Sequence, residues 1–204
     1  MDRVDETKKY IKENWFKDHK AVLTKHGDLE VLDWRKPGTC CYAVRYVFDG
    51  SHMYITGDIG EALFNLTWKA GVDTFNGIST SYFMEKMRAF SDDRYDFSVN
   101  AAEEELKEWK KQYLDDNCDM EDDDLEKFNE FFDELECELN GCSREWEWAA
   151  VINSKIDEIE KYDIDYWEWM YNIGREIPAR IYGYIVGLQM AAEQLKESEV
   201  ESNE

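Results

Sequence analysis

Five residues between positions 115 and 126 carry the kind of side-chain oxygen that a divalent cation binds: Asp115, Asn117, Asp119, Asp123 and Glu126. They fall at positions 1, 3, 5, 9 and 12 of a twelve-residue EF-hand loop, the spacing at which a curling chain turns its oxygens toward one Ca²⁺. Two positions break the pattern. Met120 stands where the sharp turn needs Gly, and Asp122 where an apolar residue belongs. Asp115 to Leu139 holds 13 acids against one base, Lys127, and a run that dense matches carboxylate templates by chance. The expectation is therefore no dedicated cofactor, with weak Ca²⁺ or Mg²⁺ binding at most.

The same run has a second chemistry. Asp115, Asp116, Asp119, Glu121, Asp122, Asp123, Asp124, Glu126, Glu130, Asp133 and Glu134 form a dense anionic series. Duplex DNA carries one charge per ~1.7 Å of axis. A helix rises ~1.5 Å per residue, so 25 residues span roughly 37 Å and present about one net charge per ~3 Å. Side chains at i, i+3 and i+4 lie ~5–6 Å apart, similar to successive phosphates. A Lys- and Arg-lined nucleic-acid channel is the expected counterpart, with steered and salt-dependent association. A solvated acidic face is the plainer account of such a run. Its confinement to one aromatic-rich half of the chain argues for a specific use.

Enzyme chemistry finds little support. There is no HExxH, GxSxG, P-loop or GxGxxG pattern. His52 and the Gly57-Asp58-Ile59-Gly60 turn are better explained as structure than as catalytic groups. Five cysteines, with no CxxC pair, read as free thiols in a reducing compartment. Trp146 and Trp148 are two apart and cannot share a helical face, so one of them is expected at the surface as an anchor for a protein partner.

These side chains need elements to hold them. Ala21–Leu23 and Leu29–Leu32, separated by Gly27, predict a hairpin, and Lys36-Pro37-Gly38 predicts a turn. Cys40–Phe48, Asp49-Gly50 and His52–Thr56 predict a second hairpin. Asp58 and Glu61, at capping-box spacing, predict a helix with Ala62, Leu63 and Leu66 inward. Helices are also expected over 2–16, 82–90 and 101–114, the last capped by Asn100.

Leu125, Phe128, Phe132, Leu135 and Leu139 recur every three or four residues and predict an amphipathic helix with its acids outward; the stripe also permits a homodimer. Gly141 fits a helix C′ position and Ser143 an N-cap for a helix to about Tyr162. A last helical segment is expected over 165–196, broken or kinked by Pro178, with the final residues fraying.

The fold class follows: α+β, a small antiparallel β-sheet with helices in the N-terminal half and an acidic helical C-terminal half. The expected domains are 1–114 and 115–204, or one continuous domain. The first stretch nets −3 and the second −20 of the total −23. At 15% aromatic residues the chain can bury a core, unlike disordered acidic chains. The charged start has no secretory h-region and the acidity repels anionic lipid, so a cytoplasmic protein is expected, with no membrane and no direct nucleic-acid partner.

The segments CYAVRYVFDGSHMYITGDIGEALFNLTWKA (41–70) and SYFMEKMRAFSDDRYDF (81–97) resemble small proteins encoded by phages and prophages of Gram-positive bacteria. The resemblance covers 41–97 and not the acidic half. It implies an anti-defence role of the anti-CRISPR kind, in the host bacterial cytoplasm, with a CRISPR effector nuclease as the nucleic-acid-binding partner. The combined expectation is a non-enzymatic DNA-mimicking nuclease inhibitor. The alternative is a calcium-responsive or adaptor protein using the 115–126 loop.

Overall fold

A computed structural model describes residues 3–201. The fold is α+β and divides into two compact units: residues up to Arg94 together with those from Pro178 onward, and Tyr95–Ile177 between them. The division differs from a break after Leu114 at both ends: residues 95–114 group with the acidic helices, and the C-terminal helix groups with the sheet.

The first unit is built on a six-stranded antiparallel meander in sequential order, β1 (Lys20–His26), β2 (Leu29–Arg35), β3 (Val44–Asp49), β4 (His52–Gly57), β5 (Ala62–Asn65) and β6 (Met87–Phe90). Helix α1 (Arg3–Tyr10) runs into a π-turn at Ile11–Trp15, and α2 (Thr80–Lys86) leads into β6. Strand β3 shows the two-residue period: Val44, Tyr46 and Phe48 are buried while Arg45 and Asp49 are exposed. Leu32 pairs with Tyr46, and Tyr46 with Ile55, so one face carries a continuous apolar layer. Helix α7 (Ala179–Glu201) packs on the unit with Ile181, Tyr184, Ile185 and Leu188 buried. The buried Tyr46 hydroxyl donates to the Tyr184 carbonyl at 2.9 Å. Residues 202–204, within the segment expected to fray, lie outside the described residues, as do Met1 and Asp2.

The helix expected from Asp58 is a strand instead. Gly57 sits at φ +145°, where a Cβ would lie 2.1 Å from the Ala43 carbonyl oxygen, and Gly60 is also at positive φ. The Asp58 carboxylate caps no helix; it accepts the Tyr42 backbone N–H at 2.7 Å. Ala62 and Phe64 are buried and Asn65 exposed, which is strand alternation. The helix expected over 82–90 likewise ends at Lys86, and Met87–Phe90 pairs with β5 through a bulge between Leu63 and Phe64.

The second unit contains β7 (Asp96–Phe97), α3 (Val99–Asp116), α4 (Asp122–Asn140), α5 (Glu145–Ser154), α6 (Ile156–Ile159), two 3₁₀ turns (Tyr166–Glu168 and Met170–Asn172) and β8 (Arg175–Glu176), which pairs with β7. The short ladder and the 3₁₀ turns replace the helix expected from 165. Ser98, not Asn100, caps α3, accepting the Ala101 N–H at 3.3 Å. Gly141 ends α4 in a right-handed conformation, φ −82°, and not the left-handed one expected of a C′ glycine. Arg144 takes the N-cap position expected for Ser143, while Glu147 gathers the Ser143 N–H, the Ser143 hydroxyl and the Arg144 N–H. The core comprises Leu106, Phe128, Phe131, Phe132, Leu135, Leu139, Trp148, Ile152 and neighbouring apolar side chains.

Candidate acidic surface and groove

Helix α4 places its apolar stripe inward as its spacing requires, with Phe128, Phe132, Leu135 and Leu139 at most 2% exposed. Phe131 joins them, and Leu125 is half-buried. Burying four or five large apolar side chains contributes on the order of 1.5–3 kcal/mol each, enough to hold a like-charged helix in place. Three aspartates, Asp122 to Asp124, open the helix, where the positive end of the macrodipole favours them.

All eleven expected acids are exposed: Asp115, Asp116, Asp119, Glu121, Asp122, Asp123, Asp124, Glu126, Glu130, Asp133 and Glu134. Their charges are not equivalent. Lys127 reaches Asp124 at 3.0 Å, Lys110 reaches Asp133 at 3.8 Å, and Lys155 bridges Glu134 and Glu138 at 3.2 and 3.1 Å. Lys107 meets Glu136 at 3.1 Å and also Glu103. Burial works against the Lys155 charge, but its two carboxylates outweigh it and hold the ammonium above its ordinary pKa. The C-terminal half of α4 is thus cross-linked to α3 and to the end of α5 by lysines. Among the described residues, no basic side chain pairs with Asp115, Asp116, Asp119, Glu121, Asp122, Asp123, Glu126 or Glu130. The uncompensated charge therefore collects at one end of the helix pair, a gradient the residue count did not distinguish.

Charge density sharpens the comparison with nucleic acid. Helix α4 carries nine acids and one lysine in 19 residues. Over a length of about 28 Å that is one net charge per about 3.5 Å, close to the ~3.4 Å per charge of a single DNA strand rather than the duplex value.

The five residues at calcium-loop spacing are divided between two helices and the turn that joins them. Asp115 and Asp116 belong to the last turn of α3, Asp123 and Glu126 to the first turns of α4, and only Asn117–Glu121 lies between. The Asn117 amide, a proposed ligand, donates to the Tyr113 carbonyl at 2.8 Å. Among the described residues no three His, Cys, Asp or Glu side chains are placed to hold a metal ion.

Two adjoining hollows, of about 640 and 810 Å³, open beside this turn. They share Tyr113, Asp116, Asn117, Lys161 and Tyr162. Trp109, Tyr113, Tyr162 and Trp169 are half-buried and line the second hollow. Trp109 lies 5.7 Å from Trp169, and Tyr113 meets Tyr162 edge-on at 5.8 Å. Trp169 is oriented by its indole N–H, which donates to Asp163 at 2.9 Å. Burial first, and then nearby negative charge or a neighbouring phenol, pushes Tyr113 and Tyr162 above the ordinary tyrosine pKa, so both stay neutral.

Trp146 is 64% exposed and Trp148 fully buried, as their two-residue spacing demands. Trp167 is also exposed. The partnership of Trp109 and Trp169 was not legible, because 60 residues separate them and no local period relates them. No helix among the described residues is long and apolar enough to cross a membrane. Comparison with protein-family models, with curated proteins and with solved structures found no match.

Proposed function

We propose that the chain is a non-enzymatic inhibitor that occupies the basic nucleic-acid channel of a nuclease, its acidic helices standing in for a phosphate backbone. One observation carries this reading: eight carboxylates from Asp115 to Glu130, without basic partners among the described residues, are exposed on two helices and the turn between them, over a packed aromatic core. A rigid anionic surface loses little conformational entropy on binding, so more of its electrostatic attraction appears as affinity. The 83-residue unit holds 27 acids and 8 bases. Such an imbalance repels itself and destabilises the compact state, a cost that a basic partner offsets.

The likeness of 41–70 and 81–97 to phage-encoded proteins directs the choice of target to a CRISPR effector nuclease in a bacterial cytoplasm. The purified protein should compete with target DNA for a guide-loaded effector, its affinity falling steeply between about 50 and 200 mM salt. Glu121→Lys, Glu126→Lys and Glu130→Lys together should abolish competition while leaving the circular dichroism spectrum unchanged. Retained inhibition by that variant at physiological salt, or simultaneous binding of protein and DNA, overturns the reading.

A further inference from the structure

We infer that the aromatic-floored groove between Tyr113 and Trp169 receives an arginine-bearing segment of the protein partner. This rests on the inhibitor reading and adds to it a specific recognition site.

The floor and the rim demand different things of an occupant. Trp109, Tyr113, Tyr162 and Trp169 offer ring surface, which favours an apolar or planar group. Asp116, Asp165 and Glu168 at the rim are exposed carboxylates. An apolar ligand would desolvate them with no compensation, and an anionic one would be repelled. A guanidinium satisfies both: it stacks on aromatic faces and donates forked hydrogen bonds to carboxylates. An ammonium stacks less well and lacks the fork.

The charge balance of the walls agrees. The two hollows are lined by eight carboxylates and two lysines. One of the lysines, Lys127, is held by Asp124, and the other, Lys161, stands at the wall common to both hollows. Each hollow lies in the range of small-molecule sites, and the two together give room for more than one side chain. The groove also adjoins the end of the helix pair where the unpaired carboxylates collect. A partner drawn by long-range charge would meet there a surface able to read a particular side chain.

The test uses the full chain and a pentaarginine peptide, with pentalysine and spermidine as charge controls. At about 0.15 M salt, pentaarginine should bind at least several-fold more tightly than pentalysine. It should shift the indole N–H resonances of Trp109 and Trp169 while leaving exposed Trp146 unmoved. Asp116→Asn with Asp165→Asn and Glu168→Gln should weaken peptide binding about tenfold. Glu121→Gln with Glu126→Gln and Glu130→Gln, outside the groove, should weaken it no more than about twofold.

Equal losses from the two triple variants, equal affinity for the three cations, or shifts confined to Trp146 overturn the groove. Its fate is separable from that of the inhibitor reading. Peptide bound in the groove with no nuclease inhibited retires the inhibitor alone. Inhibition unaffected by the groove triple variant retires the groove alone.

Discussion

The indole N–H of Trp148 donates to the backbone carbonyl of Met170 at 2.8 Å, and both residues are fully buried. This bond ties α5 to the 3₁₀ turn that follows Trp169, so a core tryptophan helps fix the position of a groove tryptophan. Trp148→Phe removes the donor, leaves a buried carbonyl unpaired and opens a small cavity. A loss of about 1–3 kcal/mol is expected, read as a lower denaturant midpoint for the acidic helical unit. The Trp169 indole resonance should broaden or move in the same variant.

Gly187 lies where α7 crosses the sheet. A Cβ there would meet the Tyr46 hydroxyl at 2.6 Å and the Trp34 ring at 3.2 Å. Alanine is worth up to about 1 kcal/mol over glycine in a helix interior, but overpacking a full core costs about 1–3 kcal/mol. It would also displace Tyr46 from the Tyr184 carbonyl. Gly187→Ala should therefore lower stability on balance, with an unchanged slope in urea titration. A stabilised variant would show that the helix can move away from the sheet.

His19 makes the first unit sensitive to mild acid. Its imidazole is 3% exposed, Nε2 faces the Tyr42 carbonyl at 3.2 Å, and Nδ1 has no hydrogen-bond partner among the described residues. Burial lowers its pKa from the ordinary 6.5, outweighing the opposing pull of the Tyr42 carbonyl and Asp18. A base whose folded pKa is depressed binds its proton more readily when unfolded. Its stability contribution is complete above the unfolded pKa and is lost as pH falls from there toward the folded value. Denaturant midpoints should decline between about pH 7 and 5, above the range where most carboxylates titrate. His19→Gln should flatten that slope.

Cys142 should be the slow thiol. It is buried, its Sγ donates to the Glu138 carbonyl at 3.3 Å, and burial together with the Glu147 and Glu138 charges raises its pKa. Cys40, Cys41, Cys118 and Cys137 are exposed. A chromogenic disulfide reagent at pH 8 should titrate four thiols quickly and the fifth only on unfolding. Five equal rates would contradict the packing around α4.

Much of the fold was legible because it rests on local period. The hairpin over 20–35, the Asp49-Gly50 turn, the inward stripe from Phe128 to Leu139 and the break at Pro178 follow from alternation, turn residues and helical spacing. Strand β5 was misread because Ala62, Leu63 and Leu66 fit a helix equally well over so short a stretch. Two positive-φ glycines and pairing with β4 and β6 decide it, and neither shows in a propensity. The acidic residues were legible as an exposed series. Which of them remain unpaired was not, since Lys107, Lys110 and Lys155 reach them from other elements. The groove was invisible for the same reason: its aromatic floor is assembled from Trp109 and Tyr113 of α3, Tyr162 beyond α6 and Trp169 between the two 3₁₀ turns.

The return of α7 to the sheet sets an order on how the chain folds during synthesis. All six strands have been synthesised once Phe90 is made, yet the helix that packs against Trp34 and Tyr46 begins only at Ala179. At the usual 5–20 residues per second that gap lasts roughly 4–18 s, during which Leu32, Tyr46 and Phe48 lack part of their cover. The intervening segment, with a core of its own, can collapse in that interval. The acidic helices would then be complete before the sheet is, and a nascent chain with exposed β-strands would already carry a highly charged, solubilising appendage.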